Sequence, residues 1–327
     1  MKWEGKRVLV TGAGGFIASH LAERLAELGA RTRALVHYRS DNSSGWLAAS
    51  AYKDQIEIVA GDVRDSESVT QTMRGVSVVF HLAALIGIPY SYHAPISYVR
   101  TNVEGTLNVL NAARNLGVEC VVHTSTSEVY GTARHLPIDE SHPLQGQSPY
   151  AASKIGADKL AEAFFLSFGV PVVTLRPFNT FGPRQSARAI IPTIITQCLN
   201  GGAVHLGNMH PTRDFNYVAD TVEGFLRAAA APAAIGRTIH IGSGREIGML
   251  DLAHIIGALM NRSIVIEKQE ERVRPENSEV TRLLADSALA REILGWESSV
   301  SLEDGLRLTI EWIRKHLNAY SSGSYVF

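Results

Sequence analysis

Tyr150 and Lys154 stand four residues apart in Ser148-Pro149-Tyr150-Ala151-Ala152-Ser153-Lys154. On a helix that spacing puts both side chains on one face. An ammonium beside a phenol favours the phenolate and draws a pKa that starts near ~10 toward the working pH. The phenolate can then take a proton from a substrate hydroxyl as hydride leaves the same carbon. Taken alone, the spacing also describes an ordinary amphipathic surface pair. What sets it apart is a β-rich run upstream that ends in Thr124-Ser125-Thr126-Ser127-Glu128-Val129-Tyr130-Gly131, a cluster of hydroxyls and a carboxylate at a strand end.

A hydride needs an acceptor, and the N-terminal region offers a place for one. The strand-like run Arg7–Thr11 enters Gly12-Ala13-Gly14-Gly15-Phe16-Ile17-Ala18 and then a helical pattern through Leu28. Glycines between a strand and a helix let the backbone approach a pyrophosphate, which the helix N-terminus stabilises. Ala18 replaces the last glycine of the common pattern and still permits close helix packing. Roughly 20 residues on, a cofactor with a free 2′-hydroxyl usually meets a carboxylate. Here that place reads Val36-His37-Tyr38-Arg39-Ser40, with no acid until Asp41. His37, Arg39 and Ser40 suit a 2′-phosphate, which leans to NADP over NAD unless Asp41 folds back onto the ribose. Asp62, in Gly61-Asp62-Val63, either accepts the adenine amino hydrogen or caps the next helix.

The elements that must position these groups follow an alternating pattern. Strands are expected at Arg7–Thr11, Arg33–His37, Ile56–Ala60, Val76–Leu82, Glu119–Ser125 and Val170–Arg176, with helices at Phe16–Leu28, Glu67–Met73, Val99–Leu116 and Tyr150–Phe168. Continuously apolar runs such as Val8-Leu9-Val10 belong to strands covered on both faces. The expected fold is therefore α/β, a doubly wound parallel sheet (Rossmann) with a smaller α/β substrate-binding lobe. Residues 1–178 with 215–243 form the dinucleotide-binding part, and 179–214 with 244–327 the lobe. A strand is expected at Thr238–Ile241, with helices near Met249–Met260 and Ser301–Leu317. The tail after Asn318 is expected to be loose.

Composition excludes several classes. The 327 residues are 45% apolar and 19% charged, which suits a globular enzyme and neither disorder nor a coiled coil. Lys and Arg number 31 against 32 Asp and Glu, a net charge of −1, so nucleic acid is not the expected partner. Cys120 and Cys198 cannot build a disulfide framework or a four-thiolate zinc site, and the histidines show no ligand-like spacing, so no metal is expected. No apolar run approaches the ~18 residues of a membrane span, and a cytoplasmic location is expected.

Thr11-Gly12-Ala13-Gly14-Gly15-Phe16-Ile17, Asp62-Val63, His81-Leu82-Ala83-Ala84, Tyr150 with Lys154, and Arg176-Pro177-Phe178-Asn179 together resemble the extended short-chain dehydrogenase/reductase family. Within it the chain looks like the nucleotide-sugar 4-epimerases, 4,6-dehydratases and uronate decarboxylases. Thr126–Gly131, the context of Tyr150 and the loop Pro89-Tyr90-Ser91-Tyr92-His93 most resemble UDP-N-acetylglucosamine 4,6-dehydratases of the legionaminic-acid type. The resemblance implies a tightly held NAD or NADP against Gly12, Gly14, Gly15, Phe16, Ile17, Asp62, Val63, Leu82, Ala83, Ala84 and Pro177, with Tyr150 and Lys154. It implies a nucleotide sugar held by Tyr90, Thr126, Asn179, Arg213 and Arg274. Guanidinium forks suit a diphosphate, with a surface salt bridge as the lesser alternative for each arginine. Arg184 reads as a turn residue and His81 as a packed histidine near the cofactor. The family also implies a homodimer through the Val99–Leu116 and Tyr150–Phe168 helices, where Leu107, Leu110, Leu160 and Phe164 serve either the core or that seam.

In a dehydratase Tyr150 deprotonates the 4-hydroxyl as C4 is oxidised, and Thr126 hydrogen-bonds the 4-oxygen. The ketone acidifies the C5 proton, Glu128 removes it, and water leaves from C6. Hydride then returns to C6, giving a 4-keto-6-deoxy sugar. Glu128 can also be read as a simple helix-start carboxylate. Ser127 departs from the pattern, because many 4,6-dehydratases carry an Asp there that protonates the departing hydroxyl, and serine is a poor acid. A Thr-Ser-Glu run also occurs in UDP-glucuronate decarboxylases. That reading and a UDP-sugar 4-epimerase stay as alternatives.

Overall fold

The computed structural model describes residues 1–270 and 274–320. Arg272 and Val273, beside Arg274, and the tail from Ser321 lie outside the described residues. Strand and helix alternate through β1 (Arg7–Thr11), α1 (Phe16–Glu27), β2 (Arg31–His37), β3 (Ile56–Gly61), α2 (Ser66–Met73), β4 (Val78–His81), α3 (Ile88–His93), α4 (Pro95–Tyr98), α5 (Gly105–Leu116), β5 (Cys120–Thr124), α6 (Pro149–Phe168) and β6 (Val172–Pro177). The chain continues as β7 (Asn179–Phe181), α7 (Ile190–Asn200), β8 (Val204–Leu206), β9 (Thr212–Tyr217), α8 (Val218–Ala230), β10 (Thr238–Ile241), β11 (Glu246–Gly248), α9 (Met249–Leu259), β12 (Ile266–Lys268), β13 (Arg282–Leu283) and α10 (Leu302–Lys315).

The main sheet runs β10-β6-β5-β4-β1-β2-β3, every neighbouring pair parallel. Its central strands are sealed on both faces, with Val8, Leu9, Val10, Val78, Val79 and Phe80 fully buried. This is the expected Rossmann-type α/β fold. From β1 the sheet grows one way through β2 and β3, and the other way through β4, β5, β6 and β10. Order reverses between β1 and β4, and ligands of such sheets bind beyond the strand C-termini at that point.

Helix α1 packs Ala18, Leu21, Ala22 and Leu25 inward at helical spacing, and Ala18 fits without opening a gap. The expected single helix over Val99–Leu116 is not continuous α-helix. Residues Val99–Glu104 instead form a widened π-helical turn before α5. That turn carries Asn102, whose amide pairs with both backbone groups of Leu85 at 2.8 and 2.9 Å and donates to Ser153 on α6 at 3.0 Å. Leu110 and Phe164 are buried in the core, whereas Leu107 and Leu160 are only partly buried.

A second sheet is built around β9, flanked by β11 and β13 and paired with β7 through Phe215–Tyr217. The chain re-enters the main sheet at β10, after α8. The tail expected to be loose is packed at its start: Tyr320 is buried, its ring 6.5 Å from that of Trp46. The reason is an aromatic contact that a polar Ser/Gly context hides. Trp46 in turn donates its backbone N–H to Gly14 O at 3.1 Å. Arg184 is structural, donating to Glu23 at 2.9 Å and Ser19 at 3.2 Å on α1. No helix among the described residues is long and apolar enough to cross a membrane.

Candidate active site

The glycine loop is shaped by the strand beside it. Gly12 has φ +70°, and a Cβ there would lie 2.8 Å from Ala83 Cα. Thr11 fixes that approach, its hydroxyl accepting the N–H of Leu82 at 3.1 Å and of Ala83 at 3.0 Å while meeting His81 Nδ1 at 2.9 Å. Gly12, Leu82 and Ala83 thus lie together, and His81 is buried and held below its ordinary pKa by burial. Helix α1 starts behind Gly15 with no side-chain cap and no acidic residue in its first turn. Its free N–H groups and positive end suit a pyrophosphate, so this part of the site fits a dinucleotide. Phe16 and Ile17 pack against the core from the same turn.

At the strand ends beyond, His37, Arg39 and Ser40 are exposed. Arg39 does not stand free, because it donates to Asp41 at 3.0 Å, and Asp41 also takes the N–H of Ser43 at 3.0 Å. The capping alternative for Asp62 is overturned: α2 is capped by Asp65. Asp62 is paired with the backbone and side chain of Arg64, whose hydrogen bonds hold its carboxyl below the usual range. Val63 packs in the core against Gly105, Ala84 follows Ala83, and Pro177 is buried at the end of β6.

Helix α6 starts with Ser148 accepting the N–H of Ala151 and Pro149 in its first turn. This brings Tyr150 and Lys154 onto one buried face, beneath a small cluster of Ile88, Tyr98 and the Tyr150 ring. Lys154 Nζ donates to Thr124 O, the end of β5, at 2.5 Å. Burial raises the Tyr150 phenol above its ordinary pKa, a hydrogen bond with Thr126 opposes that, and Glu128 adds to it. Burial brings the Lys154 ammonium down to about 8. The spacing alone predicts that the lysine lowers the phenol. In this structure burial dominates the phenol, and the ammonium is turned to the backbone carbonyl of β5.

Thr126 caps the turn Ser127–Tyr130, accepting the N–H of Glu128 at 3.3 Å. Ser127 is buried, and the Glu128 carboxylate stands 4.0 Å from Arg213. Arg213 sits on β9, its guanidinium donating to Thr212 O at 2.9 Å, beside Asp214, which accepts from Ser243, Gly244 and Ala285. Glu279, which sequence reading missed, lies 3.6 Å from both Arg213 and Arg274. Asn179 Oδ1 and Arg274 Nη1 are buried and have no hydrogen-bond partner among the described residues. Buried polar atoms are normally satisfied, so this region suits a polar ligand. Tyr90 is half exposed against Tyr98, and it is Tyr92 whose hydroxyl reaches this segment, at 2.6 Å from Ser278 Oγ. Among the described residues there is no group of side chains that could hold a metal.

Comparison with known proteins agrees with this geometry. Residues 9–309 match the GDP-mannose 4,6 dehydratase family. The chain is 33% identical over 315 residues to UDP-glucose 4-epimerase of Mycolicibacterium smegmatis, covering 94% of this chain and 98% of that one. It is 34% identical over 316 residues to dTDP-glucose 4,6-dehydratase of Streptomyces griseus, covering 94% of each. The structure of dTDP-glucose 4,6-dehydratase of Streptomyces venezuelae with NAD bound superposes with a TM-score of 0.89 at 31% identity, over 96% of this chain and 99% of that one. The chain belongs to the GDP-mannose 4,6-dehydratase family, a nucleotide-sugar branch of the extended short-chain dehydrogenase/reductases.

Proposed function

We propose that the protein is a nucleotide-sugar 4,6-dehydratase that converts UDP-N-acetylglucosamine to a 4-keto-6-deoxy product with an internally recycled nicotinamide cofactor. The observation that carries this is Glu128, a carboxylate on the same strand end as Thr126 and within reach of Arg213. A bound nicotinamide supplies a reversible hydride acceptor. Tyr150 then takes the proton of the 4-hydroxyl, and Thr126, already hydrogen-bonded to that phenol, holds the 4-oxygen. Removal of the C5 proton falls to Glu128. Arg213 and Arg274 with Asn179 take the diphosphate, displacing Glu279 from between the two guanidiniums. Ser127 is a poor acid at neutral pH, so Glu128 passes the C5 proton to the C6 hydroxyl, which leaves as water, and as C6 is reduced the proton that Tyr150 took from the 4-hydroxyl is returned to C5.

The geometry adds nothing to the sequence's lean to NADP, because Asp41 already neutralises Arg39. Helix α5, with the π-helical turn before it, and helix α6 form the proposed homodimer seam. Incubating the purified protein with UDP-N-acetylglucosamine and no added reductant tests the reading. Loss of one water by mass spectrometry supports it, and an unchanged mass with a new C4 epimer removes it. The epimerase is the second reading, favoured by Ser127 in the place of an acid.

A further inference from the structure

The four-residue spacing of α6 continues past Lys154 to Asp158, and that residue belongs to none of the chemistry above. Asp158 is buried, and its carboxylate accepts three hydrogen bonds. His123 Nε2 reaches Oδ1 at 2.9 Å, Ser125 Oγ reaches Oδ2 at 2.5 Å, and Arg176 Nη2 reaches Oδ2 at 2.7 Å. His123 and Ser125 flank Thr124 on β5, and Thr124 O is the acceptor of Lys154 Nζ. The two carboxylate oxygens therefore hold the residues on either side of the one whose carbonyl takes the ammonium.

We propose that Asp158 is a positioning residue for the Tyr150–Lys154 pair, clamping the end of β5 onto α6 and, with Arg176, setting the charge that Lys154 feels. This rests on the reading of that pair as the hydride-transfer centre. The arrangement is over-determined in the way a positioning device needs to be. Arg176, from β6, is itself fixed, donating to Ser125 Oγ at 3.1 Å and to the Tyr130 hydroxyl. The charged and titratable groups facing Lys154 are Tyr150 and Asp158 on its own helix, Arg176 on β6, and the imidazoles of His81 on β4 and His123 on β5. Burial keeps both imidazoles neutral-leaning. Since a carboxylate can only accept, the His123 proton sits on Nε2. That leaves Asp158 and Arg176 as the opposed charges: the carboxylate supports the ammonium and the guanidinium works against it.

The experiment is an NMR titration of full-length protein carrying 13C-labelled lysine, with the Lys154 signal assigned by its loss in Lys154→Met. Asp158→Asn is expected to move the Lys154 midpoint down by about one pH unit, and Arg176→Gln to move it up by a similar amount. A residue with only a packing role would not give shifts of opposite sign. If one variant fails to fold, the other decides by its sign. A midpoint unchanged in a folded variant, or shifts in the same direction, overturns the proposal. The titration needs no substrate, so it stands or falls separately from turnover of UDP-N-acetylglucosamine by the wild type.

Discussion

The Glu128 carboxylate stands 4.0 Å from the Arg213 guanidinium, joining the proposed C5 base to the proposed diphosphate clamp. Both groups are mostly removed from solvent, and the Glu128 carboxylate supports the Arg213 charge against the burial that disfavours it. Replacing Glu128 by Gln keeps the shape and removes the base. Dehydration is expected to fall by about 10²–10⁴-fold, the usual worth of a positioned base. C4 oxidation should survive, so reduced cofactor should accumulate and be visible by absorbance. Full dehydration by Glu128→Gln would falsify the mechanism.

Arg213 and Arg274 are expected to act through binding. Arg213→Lys keeps a charge and loses the planar fork, so KM for the nucleotide sugar should rise about tenfold or more while kcat changes less. Glu279→Gln should act in the opposite direction on nucleotide diphosphate affinity, since Glu279 is the internal anion that the diphosphate replaces. Calorimetry with UDP checks both. A weaker affinity in Glu279→Gln would mean that the carboxylate orients the arginines or contacts the nucleotide itself.

Most of the site was legible because its chemistry is local. Tyr150 and Lys154 are one helical turn apart, Thr126 and Glu128 share a strand end, and Gly12 to Ile17 are contiguous. Asp158 is the next four-residue step on α6, but nothing in the sequence marks it, because its role depends on His123 and Arg176 from neighbouring strands. Glu279 left no such trace, because its position depends on how the segment after Arg274 folds against β9. The direction of the Tyr150 pKa was misjudged for a similar reason. Spacing shows that a lysine is near, whereas burial and the turn of the ammonium to Thr124 O are tertiary facts.

Cofactor choice should respond to the Arg39–Asp41 pair. Arg39→Ala removes a partner for a 2′-phosphate and frees Asp41 toward the ribose hydroxyls. NADP affinity is expected to drop about tenfold and NAD affinity to hold or improve. Fluorescence titration of cofactor-stripped protein with each dinucleotide reads this directly. If both affinities are unchanged, the loop after β2 does not touch the ribose.

Gly12→Ala should break the cofactor loop and leave the rest of the chain folded. The new Cβ would meet Ala83 Cα at 2.8 Å, at a φ of +70° that side chains rarely adopt. Strain of this kind costs about 1–3 kcal/mol. The backbone shift that relieves it would disturb the Thr11 contacts to Leu82 and Ala83. Cofactor retention through purification should be lost, with a lowered Tm and an unchanged far-ultraviolet circular dichroism spectrum.

Lys154 should trade stability for function. Burial lowers its ammonium from 10.5 to about 8, so the folded state disfavours the charge that the unfolded chain carries freely. The resulting cost is about 3 kcal/mol, present in full below pH 8. As pH rises from 8 to 10.5 the folded protein has lost the proton while the unfolded chain still binds it, and the cost fades. Lys154→Met removes the charge and keeps a long apolar stem. It should therefore be inactive yet more stable than wild type at pH 7, with the difference shrinking steadily toward pH 10. Denaturant unfolding of both proteins across that range measures it. A stability gap that stays constant with pH would show that Lys154 is held charged in the fold without cost, its bond to Thr124 O and the charge of Asp158 fully replacing water.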